Sequence, residues 1–244
     1  MKTWQIAKPA GQPGTAVWHA DLAGIRLTPA CARWLSADEQ GRAARFLRLQ
    51  DRDRFVRSHL ALRRILAGYL GRDPGDLCFD HAENGKPELG GSDRGRLQFN
   101  LSHSGAHALV SIADGVAIGV DVEVARPLGD VMAIARAHFH AGEIAALAGR
   151  PAAERTMAFL ACWTRKEAVV KALGTGLSLP LDSFEVTLPP GPATIRSWAR
   201  DASRWQDWSL HHLDLGAQAV GAVAVARGGE SCALYRLPSD DESL

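Results

Sequence analysis

The feature that most constrains this chain is an acidic strand followed by an acidic helix. Side chains alternate between the two faces of a strand, so Asp121 and Glu123 share one face while the valines beside them point into the core. Segment 163–172 has a helical pattern, and Glu167 and Lys171 lie along one stripe because they are four positions apart. If the strand packs against the helix, three carboxylates and one ammonium group converge.

Three carboxylates held close together repel one another unless a cation lies between them. A hard ion with oxygen ligands, such as Mg²⁺, suits such a site, and phosphate can complete its coordination. The pattern therefore predicts a magnesium site formed by Asp121, Glu123 and Glu167. Each part also has a plainer interpretation, because the strand carboxylates fit any half-buried strand and Glu167 with Lys171 fits a surface ion pair.

Bulk composition excludes several classes of protein. The 244 residues carry a formal net charge of +1, which argues against a protein that coats nucleic acid. The sequence has no apolar run near the roughly 20 residues that span a bilayer, and no signal-peptide core at its start. Its four cysteines are far apart, which favours reduced thiols. We expect a cytoplasmic protein with no nucleic-acid or membrane partner.

The order of predicted elements indicates an α+β protein made of two similar halves, 1–115 and 116–244. Helices are predicted at about 36–46, 51–70, 130–147 and 153–173. Strands are predicted at 16–20, 97–102, 107–113, 116–123, 183–188, 193–197, 207–213, 218–226 and 231–236.

A second group of candidate residues lies where a strand ends, at Ser102, His103 and the next serine. Hydroxyl, imidazole and loop N–H groups are suitable phosphate donors. Lys86 in a Gly-Lys-Pro turn and Arg42 in an arginine-rich helix are further basic candidates. The plainer alternatives are a turn whose hydroxyls cap backbone groups, a solvated lysine and an exposed charged face.

Taken in order, these motifs resemble the 4′-phosphopantetheinyl transferases of the surfactin-synthetase type over about residues 36–190. The matching pieces are Gly85-Lys86-Pro87, Phe99-Asn100-Leu101-Ser102-His103-Ser104, Gly119-Val120-Asp121-Val122-Glu123, Phe139 with Glu143, and 163–177. The chain length suits the single-chain branch of that family. This branch implies a monomer whose two α+β halves are related by a pseudo-twofold axis.

The resemblance implies transfer of the 4′-phosphopantetheine group of coenzyme A to a serine of an apo acyl or peptidyl carrier protein. The other product is adenosine 3′,5′-bisphosphate. Carried over by position, Ser102 and His103 bind the 3′-phosphate, and Arg42 is a further basic contact of coenzyme A. The lysines that contact phosphates are Lys86, Lys166 and Lys171. Some relatives carry another basic residue where this chain has Glu39, which weakens the expected outer phosphate contacts.

The resemblance also assigns Mg²⁺ to Asp121, Glu123 and Glu167, and it makes Asp121, Glu167 and Lys171 the catalytic set. A serine hydroxyl attacks phosphorus, and its proton passes either to Glu167 or to a water molecule on the metal. Lys171 stabilises or protonates the departing phosphate. The sequence does not decide which base acts.

Two other functions remain open at this point. A Mg²⁺-dependent phosphodiester hydrolase or nuclease also uses acidic residues with a lysine, although restriction-type nucleases place Glu and Lys two apart on a strand. A non-catalytic module that binds carrier proteins is the second alternative. The loss of any of the three carboxylates would favour that module, and all three are present.

The segment 174–184, which follows the acidic helix, is the predicted docking surface for the carrier protein. It contains two glycines and then several leucines. We expect Leu177 and Leu179 to make apolar contacts, with Arg155 or Arg165 steering an acidic partner. A buried loop is the alternative interpretation.

Overall fold

A computed structural model describes residues 14–82, 85–198, 204–227 and 231–240, but not the side chains at 177, 204 and 205. The helices are α1 (Pro29–Ala32), α2 (Ala37–Ala44), α3 (Leu49–Leu70), α4 (Val131–His138), α5 (Ala141–Ala148) and α6 (Ala152–Leu173). The strands are β1 (Thr15–Asp21), β2 (Phe79–His81), β3 (Pro87–Leu89), β4 (Gln98–Ser104), β5 (His107–Ala113), β6 (Ile118–Val124), β7 (Phe184–Val186), β8 (Ile195–Trp198), β9 (Ser209–Asp214), β10 (Ala219–Val225) and β11 (Ala233–Arg236).

The chain divides into two compact units, which confirms the expected α+β class. Unit 1 comprises Met1–Gly115 together with Ala233–Leu244, and unit 2 comprises Val116–Cys232. Each unit contains a 22-residue helix and a sheet, which is mixed in unit 1 and antiparallel in unit 2. Among the helices of the described residues, none is both long and apolar enough to cross a membrane.

Unit 1 is organised around the helix α3 and a sheet with the strand order β11-β1-β5-β4. The apolar positions of α3 are spaced as one face of a helix and are buried, among them Leu62, Ile65 and Leu66. The preceding helix α2 begins with a capping box, in which Ser36 and Glu39 each accept a backbone hydrogen bond of the other. These contacts fix the start of α2.

Unit 2 places α6 against the strand β6 in a sheet with the order β6-β10-β9. Gly119 makes this close approach possible. A Cβ atom at Gly119 would lie 2.2 Å from the carbonyl oxygen of Ala168 and 2.3 Å from the backbone nitrogen of Ala172. The backbones of strand and helix therefore meet directly, and only glycine fits between them.

Several elements differ from those expected from the sequence. The helix expected at 130–147 is two helices, because Phe139 is extended and His140 starts a new capping box with Glu143. The strands β2 and β3 were not expected and form a two-stranded sheet. The last described strand, β11, pairs in parallel with β1 and lies in unit 1, rather than in a second half that runs to residue 244.

Candidate active site

The acidic strand and acidic helix meet in unit 2 as the sequence indicates. Asp121 is only 5% exposed, because the face of β6 that carries it is covered by α6. The ammonium group of Lys171 donates a hydrogen bond of 2.5 Å to Asp121 Oδ1. Glu123 and Glu167 are half-buried. Neither a freely solvated strand face nor an isolated surface ion pair describes this arrangement.

The carboxylates are close enough to perturb one another. Burial raises the pKa of Glu167, the charge of Asp121 raises it next, and Glu123 adds to this effect, while Lys171 opposes it. The donor set, three carboxylates with oxygen atoms only, fits a hard divalent cation, which would relieve their repulsion. Within the described ranges, no three acidic, histidine or cysteine side chains already have the arrangement of a complete metal site. Lys171 occupies Asp121 Oδ1, so a cation bound at this carboxylate would lie beside that ammonium group.

The structure contradicts the phosphate contact that sequence analysis assigned to Lys166. Its side chain is fully buried and its Nζ lies 2.8 Å from Glu143 Oε1. The same ammonium donates hydrogen bonds to the carbonyl oxygens of Leu181 and Phe184. Phosphate has no access to a group enclosed in this way, so Lys166 belongs to the core of unit 2.

Glu143 is one of the residues that carry the family resemblance, and the structure shows its role. One carboxylate oxygen caps α5 by accepting from the backbone nitrogen of His140, and the other accepts from Val186 N at 2.7 Å. Glu143 and Lys166 thus join α5, α6 and β7. The sequence signal that could have found this role is the position of Glu143, three residues after the helix cap.

The docking surface predicted after α6 is wrong in two of its parts. Leu179 is 6% exposed and Arg165 is 1% exposed, so neither reaches a partner protein. The Arg165 guanidinium donates to the carbonyl oxygen of Thr187. The side chain of Leu177 lies outside the described residues, and Arg155 donates to two carbonyl oxygens beside the start of α6.

Unit 1 contains a pocket of about 490 Å³. Its polar lining is Arg42, Arg45, His59 and His103, and its aromatic lining includes Phe55. A volume of this order suits a nucleotide-sized group, and two guanidinium groups favour an anion. Sequence analysis assigned contacts to Arg42 and His103, counted Arg45 only as part of the arginine-rich helix, and missed His59.

The structure separates the other predicted phosphate contacts from this lining. Ser102 is 7% exposed and alternates with His103 along β4, so its side chain points to the opposite face of the strand. The prediction that both side chains hold one phosphate is therefore wrong for this pocket. Lys86 lies between two lining residues, Gly85 and Pro87, without lining the pocket itself, and burial lowers its pKa while Glu88 opposes this.

Glu39, at the position where the resemblance implies a further basic residue in some relatives, does not line the pocket. Its carboxylate forms a buried ion pair with Arg63 at 2.7 Å while it caps α2. Arg63 also donates to the carbonyl oxygens of Pro74 and Leu77. The negative charge of Glu39 is therefore balanced inside unit 1, and it opposes an anion in the pocket less than the sequence alone indicates.

Comparisons with known proteins cover both units. Residues 117–226 match the model of the 4′-phosphopantetheinyl transferase superfamily. Residues 25–114 match a second model, described as 4′-phosphopantetheinyl transferase, N-terminal. Neither the hydrolase nor the non-catalytic binding module receives support from these matches.

Several curated relatives carry the same description. The chain is 39% identical over 202 residues to the 4′-phosphopantetheinyl transferase HetI of Nostoc sp., covering 81% of each protein. It is 32% identical over 155 residues to the 4′-phosphopantetheinyl transferase Sfp of Bacillus subtilis, covering 64% of this chain and 67% of that relative. With AcpT of Salmonella typhimurium it shares 38% over 109 residues, 45% of this chain and 55% of the relative. The chain therefore belongs to the 4′-phosphopantetheinyl transferase superfamily of enzymes.

Proposed function

We propose that this chain transfers the 4′-phosphopantetheine group of coenzyme A to a serine of an apo acyl or peptidyl carrier protein, and releases adenosine 3′,5′-bisphosphate. The observation that carries the proposal is the contact of Asp121 with Lys171, beside Glu123 and Glu167, where β6 meets α6. This set combines acidic metal ligands with a cation suited to a phosphate leaving group. Family membership supports the same activity.

The pocket of unit 1 is proposed to hold the nucleotide end of coenzyme A. Arg42 and Arg45 supply guanidinium donors, and His103 supplies an imidazole on the neighbouring strand β4. These groups suit the 3′-phosphate, since a charge-assisted hydrogen bond is about twice as strong as a neutral one. Lys86 remains a candidate contact for another phosphate.

The residues of unit 2 are proposed to perform the chemistry. Asp121, Glu123 and Glu167 would hold Mg²⁺, which supplies positive charge to the diphosphate oxygens when bound. A bond forms between the carrier serine oxygen and phosphorus, and the bond from phosphorus to the leaving phosphate oxygen breaks. Glu167 is the proposed acceptor of the serine proton, because burial and its acidic neighbours raise its pKa.

Lys171 is proposed to donate a hydrogen bond to the leaving phosphate. Its Nζ is already held beside the acidic group by Asp121. Its side chain is 28% exposed, so it can reach a substrate, whereas the fully buried Lys166 cannot. The neighbouring lysines of one helix thus take separate roles.

The proposal includes a monomeric, cytoplasmic enzyme without nucleic-acid or membrane partners. The cysteines at 31, 78, 162 and 232 are free thiols in the structure, which supports a reducing compartment.

The decisive experiment incubates the full chain with coenzyme A, Mg²⁺ and a panel of apo carrier proteins from fatty-acid, polyketide and peptide synthesis. Intact mass spectrometry should find one phosphopantetheine group on the carrier and an equal amount of adenosine 3′,5′-bisphosphate. A carrier with its acceptor serine changed to alanine is the control. If no carrier in the panel is modified and the chain cleaves a DNA duplex in a metal-dependent manner, the hydrolase would be favoured instead.

A further inference from the structure

Neither the sequence nor the family resemblance provides a role for His59, which belongs to the polar lining of the unit 1 pocket. It lies on α3, one turn after Phe55, and both side chains line the pocket. The two rings are 3.9 Å apart between centroids and are tilted by 32°. This packing holds the imidazole in one orientation at the pocket wall.

The backbone fixes which ring nitrogen of His59 carries the proton. Nδ1 lies 2.9 Å from the carbonyl oxygen of Phe55. A carbonyl oxygen only accepts hydrogen bonds, so Nδ1 is the donor and carries the hydrogen. Ser58 donates its own hydroxyl hydrogen to the same carbonyl at 2.9 Å. The polar atom left for the pocket is therefore Nε2.

The imidazole of His59 is neutral at physiological pH. Burial lowers its pKa to about 4; the Phe55 carbonyl and Glu39 oppose this, while Arg42 and His103 add to it. Nε2 then carries a lone pair and accepts a hydrogen bond. Among the described residues, no protein group donates a hydrogen bond to Nε2.

This acceptor contrasts with the two arginines of the lining, which only donate. Phosphate oxygens are acceptors and suit the arginines, but they would meet Nε2 with lone pair against lone pair. An occupant that uses the whole lining must therefore present a phosphate and, close to it, a hydrogen-bond donor. Arg42, His59 and His103 line the same pocket, so the donor that meets His59 lies near the phosphate that the other two residues would bind.

We propose that His59 Nε2 accepts a hydrogen bond from the ribose 2′-hydroxyl of coenzyme A, the donor vicinal to the 3′-phosphate. The inference rests on the proposed function, because it takes coenzyme A as the occupant of the pocket. His59 then selects ribonucleotide over deoxyribonucleotide at the site whose arginines select the phosphate. It touches the substrate without taking part in the bond changes.

The test uses the released product, so that it does not depend on transfer. Isothermal titration calorimetry on the full chain compares adenosine 3′,5′-bisphosphate, its 2′-deoxy analogue and inosine 3′,5′-bisphosphate. We expect the deoxy analogue to bind about 3- to 10-fold more weakly than the ribonucleotide, the worth of one neutral hydrogen bond. In His59→Phe this ratio should fall to near one, while the ratio of adenosine to inosine ligand stays as in the wild type.

His59→Gln keeps an acceptor at this position and should retain part of the 2′-hydroxyl preference, which guards against a fold defect in the phenylalanine variant. Equal wild-type affinities for the ribo and deoxy ligands would overturn the inference. A loss of the preference for the adenosine over the inosine ligand in His59→Phe would also overturn it, because His59 would then contact the base. Proton uptake on binding that His59→Phe abolishes would overturn it as well, because His59 would then be a donor and not an acceptor. Successful carrier modification with any of these outcomes would leave the proposed function standing.

Discussion

Lys166 Nζ lies 2.8 Å from Glu143 Oε1, and both side chains are completely excluded from solvent. Burial lowers the pKa of Lys166 and raises that of Glu143, while the charge of each partner opposes these shifts. Lys166 also donates to the carbonyl oxygens of Leu181 and Phe184, and the second oxygen of Glu143 accepts from His140 N, so the polar atoms of both side chains are satisfied. The pair therefore ties α6 to the segment that follows it, immediately beside Glu167.

Removing one member of this pair should destabilise the protein strongly. We expect Lys166→Met to lower the free energy of unfolding by about 3–5 kcal/mol, because Glu143 is left buried without a counter-ion. Denaturant titration measures this loss. Adding Glu143→Met should restore part of it. The matched control is Arg94→Met, whose ion pair with Asp80 is largely exposed and should cost less than about 1 kcal/mol. Near-wild-type stability of Lys166→Met would contradict the buried role.

Gly119→Ala should separate the strand from the helix, because its Cβ would meet the Ala168 carbonyl oxygen at 2.2 Å. We expect the free energy of unfolding to fall by about 1–3 kcal/mol or more in thermal or denaturant unfolding, and we expect transfer to be lost. Gly41→Ala in α2 is the control, since no atom lies within 4 Å of the added Cβ. That change should be neutral or stabilise by up to about 1 kcal/mol.

Glu167→Gln should reduce carrier modification on the order of 10²-fold or more, because it removes a proposed metal ligand and the proposed proton acceptor. Its melting temperature should stay equal or rise, since burial and like charges disfavour the carboxylate. Glu154→Gln, exposed on the same helix, is the control and should keep full turnover. Wild-type turnover in Glu167→Gln would remove this residue from the site.

The lowered pKa of His59 should make the protein less stable in mild acid. Its folded-state pKa is about 4, below the ordinary 6.5, so the unfolded chain binds a proton that the folded chain refuses. This penalty is negligible well above pH 6.5 and grows as the pH falls to about 4, to between about 3 and 3.5 kcal/mol below that pH. The free energy of unfolding should decrease more steeply with falling pH for the wild type than for His59→Gln, as measured by denaturant titration at each pH. Equal slopes would be evidence against a neutral buried imidazole.

Coenzyme A should bind more tightly than 3′-dephospho-coenzyme A by about 10- to 100-fold, because a lost charge-assisted contact costs roughly 1.5–3 kcal/mol. Arg42→Gln and His103→Gln should each shrink this ratio in calorimetry. Ser102→Ala should leave the ratio unchanged, since its side chain lies on the other face of β4. If the affinity ratio depends on Ser102 and not on His103, the 3′-phosphate binds on the other face of β4 and the proposed placement is wrong.

The family and most elements could be predicted from the sequence, because local periodicity and ordered motifs carry that information. The strand that presents Asp121 and the helix that presents Glu167 and Lys171 follow from alternation and from the 3.6-residue turn. Lys166 lies about 100° around the helix from Glu167, so it faces elsewhere. Periodicity does not say what lies on that side.

Tertiary structure alone decided the features that depend on distant partners. Glu143 encloses Lys166 because α5 and β7 pack on α6, and β11 joins β1 across most of the chain. His59 Nε2 is an acceptor because burial keeps the imidazole neutral and because the Phe55 carbonyl on the same helix takes the hydrogen of Nδ1. The sequence determines which groups are present and on which local face they lie. Burial and non-local packing determine which groups are enclosed in the core and which still face a substrate, because desolvation depends on everything that surrounds a side chain.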